Sequence, residues 1–130
     1  MSRRPSAAGP SPRALRVGEV IRRVLSEILT RGDLHDPALN RPVTVGEVRM
    51  SPDLRHATVY VLPLGGAGVA EVLAALDRHR PALRRAVAAS VRLKYAPELR
   101  FLPDELFDRM DAVRRLMEDE AVRRDLDGAD

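Results

Sequence analysis

Apolar residues recur every three or four positions near the start of the chain. Val17, Val20, Ile21, Val24, Leu25, Ile28 and Leu29 share one side of a helix, while Arg16, Glu19, Arg22, Arg23 and Ser26 fall largely off it. This spacing predicts a helix from about Arg13 to Leu29, with Gly32 as its stop. DLHDPALNRP (33–42) is dense in Asp, Asn and Pro and reads as loop. VTVGEVRM (43–50) then alternates with a fault, since Val43 and Val45 share one parity and Val48 and Met50 the other. A bulge at Gly46–Glu47 keeps all four on one face. SPDLR (51–55) is a tight turn, so HATVYVLPL (56–64) pairs back as an antiparallel second strand.

GGAG (65–68) leads into a helix at about Val69 to Arg78. Pro81 cannot sit inside a helix without losing a hydrogen bond, but it can start one. The stretch 69–91 is therefore two helices meeting at His79–Arg80–Pro81. Leu83, Val87 and Val91, with Ala86 beside them and Ser90 on the same flank, supply the buried side of the second. LKYAPE (93–98) leaves that helix, and LRFLP (99–103) is a third strand. Leu106, Met110, Val113, Leu116 and Met117 predict a further helix over 104–124, capped by Asp104. The expected architecture is an α+β sandwich of two layers, in the order helix, strand, strand, helix, kink, helix, strand, tail helix. Residues 1–12, rich in Ser, Pro, Gly and Ala, are expected to be a disordered arm, 13–103 the folded domain and 104–130 an acidic helical tail.

At 130 residues the chain fits one domain with tails. It has no cysteine, which excludes disulfides, thiolate metal sites and a cysteine nucleophile. No apolar run approaches the roughly 20 residues of a membrane span. The first residues lack the apolar core of a secretory signal. A soluble, cytoplasmic protein is expected.

The formal net charge of +3 hides a strong alternation. Residues 1–31 carry seven arginines against Glu19 and Glu27, and 78–100 carry six arginines and Lys94 against Glu98 alone. The intervening 32–77 is net acidic, as is 101–130, with ten acids against five arginines. Folding can bring the two basic blocks onto one face that attracts phosphate polyanions. Taken alone, the same blocks also fit solvated helix faces with scattered arginines.

Enzyme signatures are weak. His35, His56 and His79 lack metal-ligand spacing. GGAG lacks the Gly-Lys-Ser/Thr ending of a phosphate loop. Ser11, Ser26, Ser51 and Ser90 show no nucleophile elbow, and Glu47, Asp53 and Glu98 sit at strand or turn edges where solvated acids are normal. No catalyst and no cofactor are expected. A protein-interaction module docking through its first helix and a general RNA-binding domain are both open to such a chain.

Three stretches together resemble ribosome-binding factor A of bacteria: VGEVIRRVLSEIL (17–29), VTVGEVRMSPDLRHATVYV (43–61) and VRLKYAPELRF (91–101), in that order and spacing. The resemblance runs from about Arg13 to Met117. It implies a KH-like fold of the second type, with the third strand beside the first in a mixed sheet. It also implies an assembly factor that binds immature 30S subunits and assists late maturation of 16S rRNA near its 5′ end. Growth in the cold, release helped in some bacteria by an assembly GTPase, and a monomeric free state complete that expectation.

One feature departs from the family. Its helix–helix crossing is typically an Ala-x-Gly kink, whereas His79–Arg80–Pro81 stands here. Pro81 offers no N–H to a phosphate, so the side chains of Arg78, Arg80, Arg84 and Arg85 are expected to do more of that work. Arg92 and Lys94 extend the patch, and Arg13, Arg16, Arg22 and Arg23 form a second candidate surface. With two Phe, two Tyr and no Trp, shape and backbone readout should outweigh base stacking. Phe101 is expected in the core; Tyr95 suits RNA contact or helix-end packing equally.

Overall fold

The computed structural model describes residues 9–104 and 116–118. Its first helix, α1, spans Pro12–Arg31. Ser11 caps it, the hydroxyl accepting the Ala14 N–H at 3.1 Å, with proline at the first helical position. Ser11 and Pro12 thus belong to the helix and not to an arm: Ser-Pro is a start signal. Gly32 ends the helix in the left-handed region (φ 71°) and returns its N–H to Ile28 and Leu29 carbonyls. Ala14, Gly18, Ile21, Leu25 and Ile28 are buried. Gly18 is there because a side chain would not fit, since a Cβ would stand 2.6 Å from the Val48 carbonyl oxygen.

Strand β1 (Val43–Met50) pairs antiparallel with β2 (His56–Pro63). The register shifts between Val45 and Glu47, leaving Gly46 as the extra residue. That is the expected bulge, and Val43, Val45, Val48 and Met50 all pack on the core side. The turn between the strands is tied by side chains. Ser51 Oγ donates to Asp53 Oδ1 at 2.6 Å, Asp53 accepts the Arg55 N–H at 3.1 Å, and the His56 N–H donates to Ser51 Oγ at 3.0 Å. The Ser51 hydroxyl, then the Arg55 amide, hold the Asp53 carboxyl below its usual range.

Helix α2 (Val69–Arg78) is followed at once by α3 (Arg80–Ser90), the break falling at His79 (φ −99°, ψ 11°). Strand β3 (Glu98–Pro103) re-enters the sheet parallel to β2. The order is β1-β2-β3, so β3 lies beside the second strand and not, as expected, beside the first. The reason is the crossover. Helices leaving the far end of β2 carry the chain back to its start, which seats the next strand parallel to β2 itself. β1 keeps the outer edge, where the bulge interrupts the ladder.

The helices cover one sheet face, and Ala57, Val59, Val61, Leu99 and Phe101 meet Ile21, Leu25, Val72, Leu76, Leu83 and Val87 in one core. Phe101 is in that core, as expected. Ser90 is not on the buried flank of α3: it is exposed, its hydroxyl donating to the Ala86 carbonyl. Removing a core side chain such as Leu83 costs about 2–5 kcal/mol, against about 1 kcal/mol or less for an exposed ion pair. The core therefore makes the fold, and the charged side chains are left to position segments or meet partners. Among the described residues no helix is long and apolar enough to cross a membrane. Asp104 is buried, its N–H bonded to the Val61 carbonyl. Residues 116–118 are helical with Leu116 and Met117 exposed; the rest of the helix predicted over 104–124, like residues 1–8, lies outside the described residues.

Candidate nucleic-acid interface

The basic residues fall into two environments. At the kink, Asp36 precedes a short 3-10 turn (Pro37–Leu39) and caps it, accepting the Ala38 N–H at 3.0 Å. The same carboxylate accepts from Arg78 Nη2 at 3.0 Å, and His79 Nε2 stands 3.0 Å from it. Asp36 is only 8% exposed. The Ala38 amide first, then Arg78 and His79, hold its carboxyl below the usual range. One turn on, Arg80 Nη2 donates to Asp77 at 2.6 Å. Both arginines at the break are thus engaged by acids. Pro81 lacks an amide hydrogen where α3 begins, which thins the donors offered at that helix end.

Two further groups are also held internally. Arg84 Nη2 donates to the Ala96 carbonyl at 3.0 Å and meets Glu98 at 3.1 Å, fastening α3 to the segment entering β3. On α1, Arg22 and Arg23 both grip Glu19. The Arg22 hydrogen bond is the main reason that the Glu19 carboxyl falls to about 2.

The second environment lies where the hairpin turn meets the 91–97 segment. The Glu98 N–H donates to the Arg55 carbonyl at 2.8 Å. The Arg55 guanidinium lies 4.4 Å from the Tyr95 ring centre and the Lys94 ammonium 5.5 Å from it. Arg92 is exposed two residues before. α1 starts at this same end of the sheet, since Gly18 abuts Val48 and Met50 near the close of β1; Arg13 and Arg16 precede Gly18 and are exposed. Arg85 is exposed on α3. Among the described residues, Arg13, Arg16, Arg85, Arg92 and Lys94 have no acidic partner, whereas Arg22, Arg23, Arg78, Arg80 and Arg84 do.

Sequence reasoning passed over Arg55, Arg49 and Arg100. Strand register exposes the last two: Arg49, Thr58 and Arg100 are cross-strand neighbours on the face away from the helices. Arg49 there bonds Glu47 at 2.8 Å and lies 5.3 Å from the Tyr60 ring centre. Arg55 gave no signal beyond its place at the end of SPDLR.

No acid–base or metal centre assembles among the described residues. Among the described residues, no group of three or more His, Asp or Glu could hold a metal ion. Glu47 pairs with Arg49, Asp53 closes its turn and Glu98 pairs with Arg84. In the GGAG loop, Gly65, Gly66 and Gly68 take left-handed φ angles, and Arg41 donates to the Ala67 carbonyl.

Comparison with known proteins places this geometry. The model of a family described as Ribosome-binding factor A matches residues 13–117. Curated proteins of that name from Dinoroseobacter shibae and a Ruegeria species are 60% and 63% identical over 130 and 120 residues, covering 99% and 92% of this chain and 96% and 92% of theirs. The crystal structure of ribosome-binding factor A from Thermus thermophilus is 33% identical, with a TM-score of 0.61, over 69% of this chain and 94% of that one. A homology model of the Thermus protein has also been fitted into a cryo-EM map of a complex of that protein with the 30S subunit; those coordinates are 37% identical, with a TM-score of 0.51, over 64% of this chain and 86% of that one. The helix–strand–strand–helix–helix–strand order is KH-like, of the second type.

Proposed function

The chain belongs to the ribosome-binding factor A family, and on that premise we propose that it binds immature 30S subunits and assists late maturation of 16S rRNA near the 5′ end. It does so as a binding factor and not as an enzyme. Residues 13–103 are the RNA-binding domain, its first helix begun by Ser11 and Pro12, and 104–130 is an acidic segment after it. The free protein is a cytoplasmic monomer, and an assembly GTPase helps its release.

The observation that carries the RNA reading is the division of the cations. Arginines already bonded to acids have spent most of their local field, whereas Arg13, Arg16, Arg92 and Lys94 leave theirs unopposed at one end of the molecule. Such a cluster gains affinity by releasing condensed counterions from RNA, and arginine adds forked contacts to phosphate oxygens. Arg85 and the partly engaged Arg84 extend the surface along α3. Arg22, Arg23, Arg78 and Arg80 contribute at long range and hold the scaffold.

Sedimentation tests the reading. At low ionic strength the protein should travel with immature 30S particles in preference to mature ones, and this association should weaken steeply as salt rises. Failure to travel with immature particles at any salt concentration would remove the proposal.

A further inference from the structure

We propose that Tyr95 is a stacking platform for one unpaired nucleobase of RNA, with Arg55 backing the ring and Lys94 meeting the adjacent phosphate. The inference rests on the RNA-binding reading above and gives it a specific substrate feature. Among the described residues Tyr95 is the one exposed aromatic, at 48%, while Phe101 is buried at 7% and Tyr60 is half-buried on the sheet face. A lone exposed aromatic is ordinary on a protein surface. This one differs in how it is held.

Arg55 is fixed at its backbone, and Tyr95 is anchored through the two residues that follow it, before any ligand arrives. Arg55 is pinned through its N–H to Asp53 and through its carbonyl to the Glu98 N–H. Tyr95 is followed by Ala96, whose carbonyl Arg84 grips, and by Pro97, which is fully buried. A ring already resting against a guanidinium, on two anchored stretches of backbone, has less freedom to lose on binding, which favours a partner with a flat face. The Lys94 ammonium, at 5.5 Å on a flexible stem, is near the outer limit of a cation–π contact and is the group that yields. When a base takes its place over the ring, the ammonium is free to turn to the phosphate beside it.

Flat face, paired cations and exposure match the chemistry of single-stranded recognition, in which every base offers a π-surface to an aromatic side chain. A base within a duplex is already stacked and cannot reach the ring. The ligand is therefore an unpaired stretch of RNA.

The test uses the full chain and a single-stranded RNA octamer carrying 2-aminopurine, whose fluorescence falls when it stacks. At about 50 mM salt, where phosphate contacts are strong, the protein should bind and quench it. Tyr95→Leu should abolish the quenching and bind about tenfold more weakly, with an unchanged unfolding midpoint, while Tyr95→Phe retains both properties. Binding by the wild type without quenching, or quenching that survives Tyr95→Leu, would overturn the platform and leave RNA binding intact. Loss of particle association in Tyr95→Leu with octamer binding preserved would assign the ring to a protein contact and equally overturn it. If neither the octamer nor immature particles are bound at low salt, the RNA reading fails along with this one.

Discussion

The kink between α2 and α3 and the corner where the hairpin turn meets residues 91–97 are both rich in cations, and they use them differently. At the kink, Asp36 gathers Arg78 and His79, and Asp77 takes Arg80. At the corner, Arg55 and Lys94 face a tyrosine ring and Arg92 faces solvent. An acid opposite a guanidinium spends the charge on holding two segments together. An aromatic ring opposite it orients the charge without neutralising it. A cluster of basic side chains thus marks a clamp in one place and a docking surface in the other.

The largest expected effect lies at the corner. Reversing two charges with Arg92→Glu and Lys94→Glu together should weaken binding to immature particles by about two orders of magnitude, with thermal unfolding shifted by no more than about 2 °C. Unfolding shifted well beyond that would make these residues structural and collapse the distinction. Asp36→Ala should do the converse at the kink. Its unfolding midpoint should fall clearly, because the 3-10 turn loses its cap and Arg78 and His79 lose their partner, while particle affinity changes by less than about threefold. A large loss of affinity in this variant, with the fold intact, would mean that the kink positions RNA contacts after all.

The smallest effect is in acid. The Asp36 and Glu19 carboxyls are both lowered in the folded protein, Asp36 chiefly by the Ala38 amide and Glu19 chiefly by Arg22. A lowered carboxyl contributes stability above its unfolded value, and that contribution disappears as pH falls through the folded value. For Glu19 the window runs from 4.5 down to about 2. Denaturant melts across this range should show stability declining with pH, and Glu19→Gln should flatten part of the slope. An unchanged slope in that variant would mean that the α1 ion pairs contribute nothing, leaving Asp36 and Asp53 as the sensitive groups.

Much of the fold is legible in the linear pattern. The stripe from Val17 to Leu29, the parity fault at Gly46, the SPDLR turn and the break before Pro81 all appear where the spacing puts them, because each depends on residues only a few positions apart. The same locality explains why Ser11 and Pro12 belong to α1: a helix-start signal was present in a stretch whose composition suggested an arm. The site is less legible. Spacing shows that Arg78, Arg80 and Arg84 are basic and exposed enough to matter, but not that Asp36, Asp77 and Glu98 stand against them.

By itself, then, the order of residues determined the elements, their capping, the antiparallel hairpin and the faces that would be buried, since hydrophobic periodicity and turn chemistry act over a few residues. Only the tertiary structure decided that β3 lies beside β2, and that Arg78 meets Asp36 across 42 positions of chain. It likewise brought Arg55 to Tyr95. Pairings of this kind depend on where a crossover returns the chain, and the same string of charges can be neutralised or left open according to what that return brings alongside.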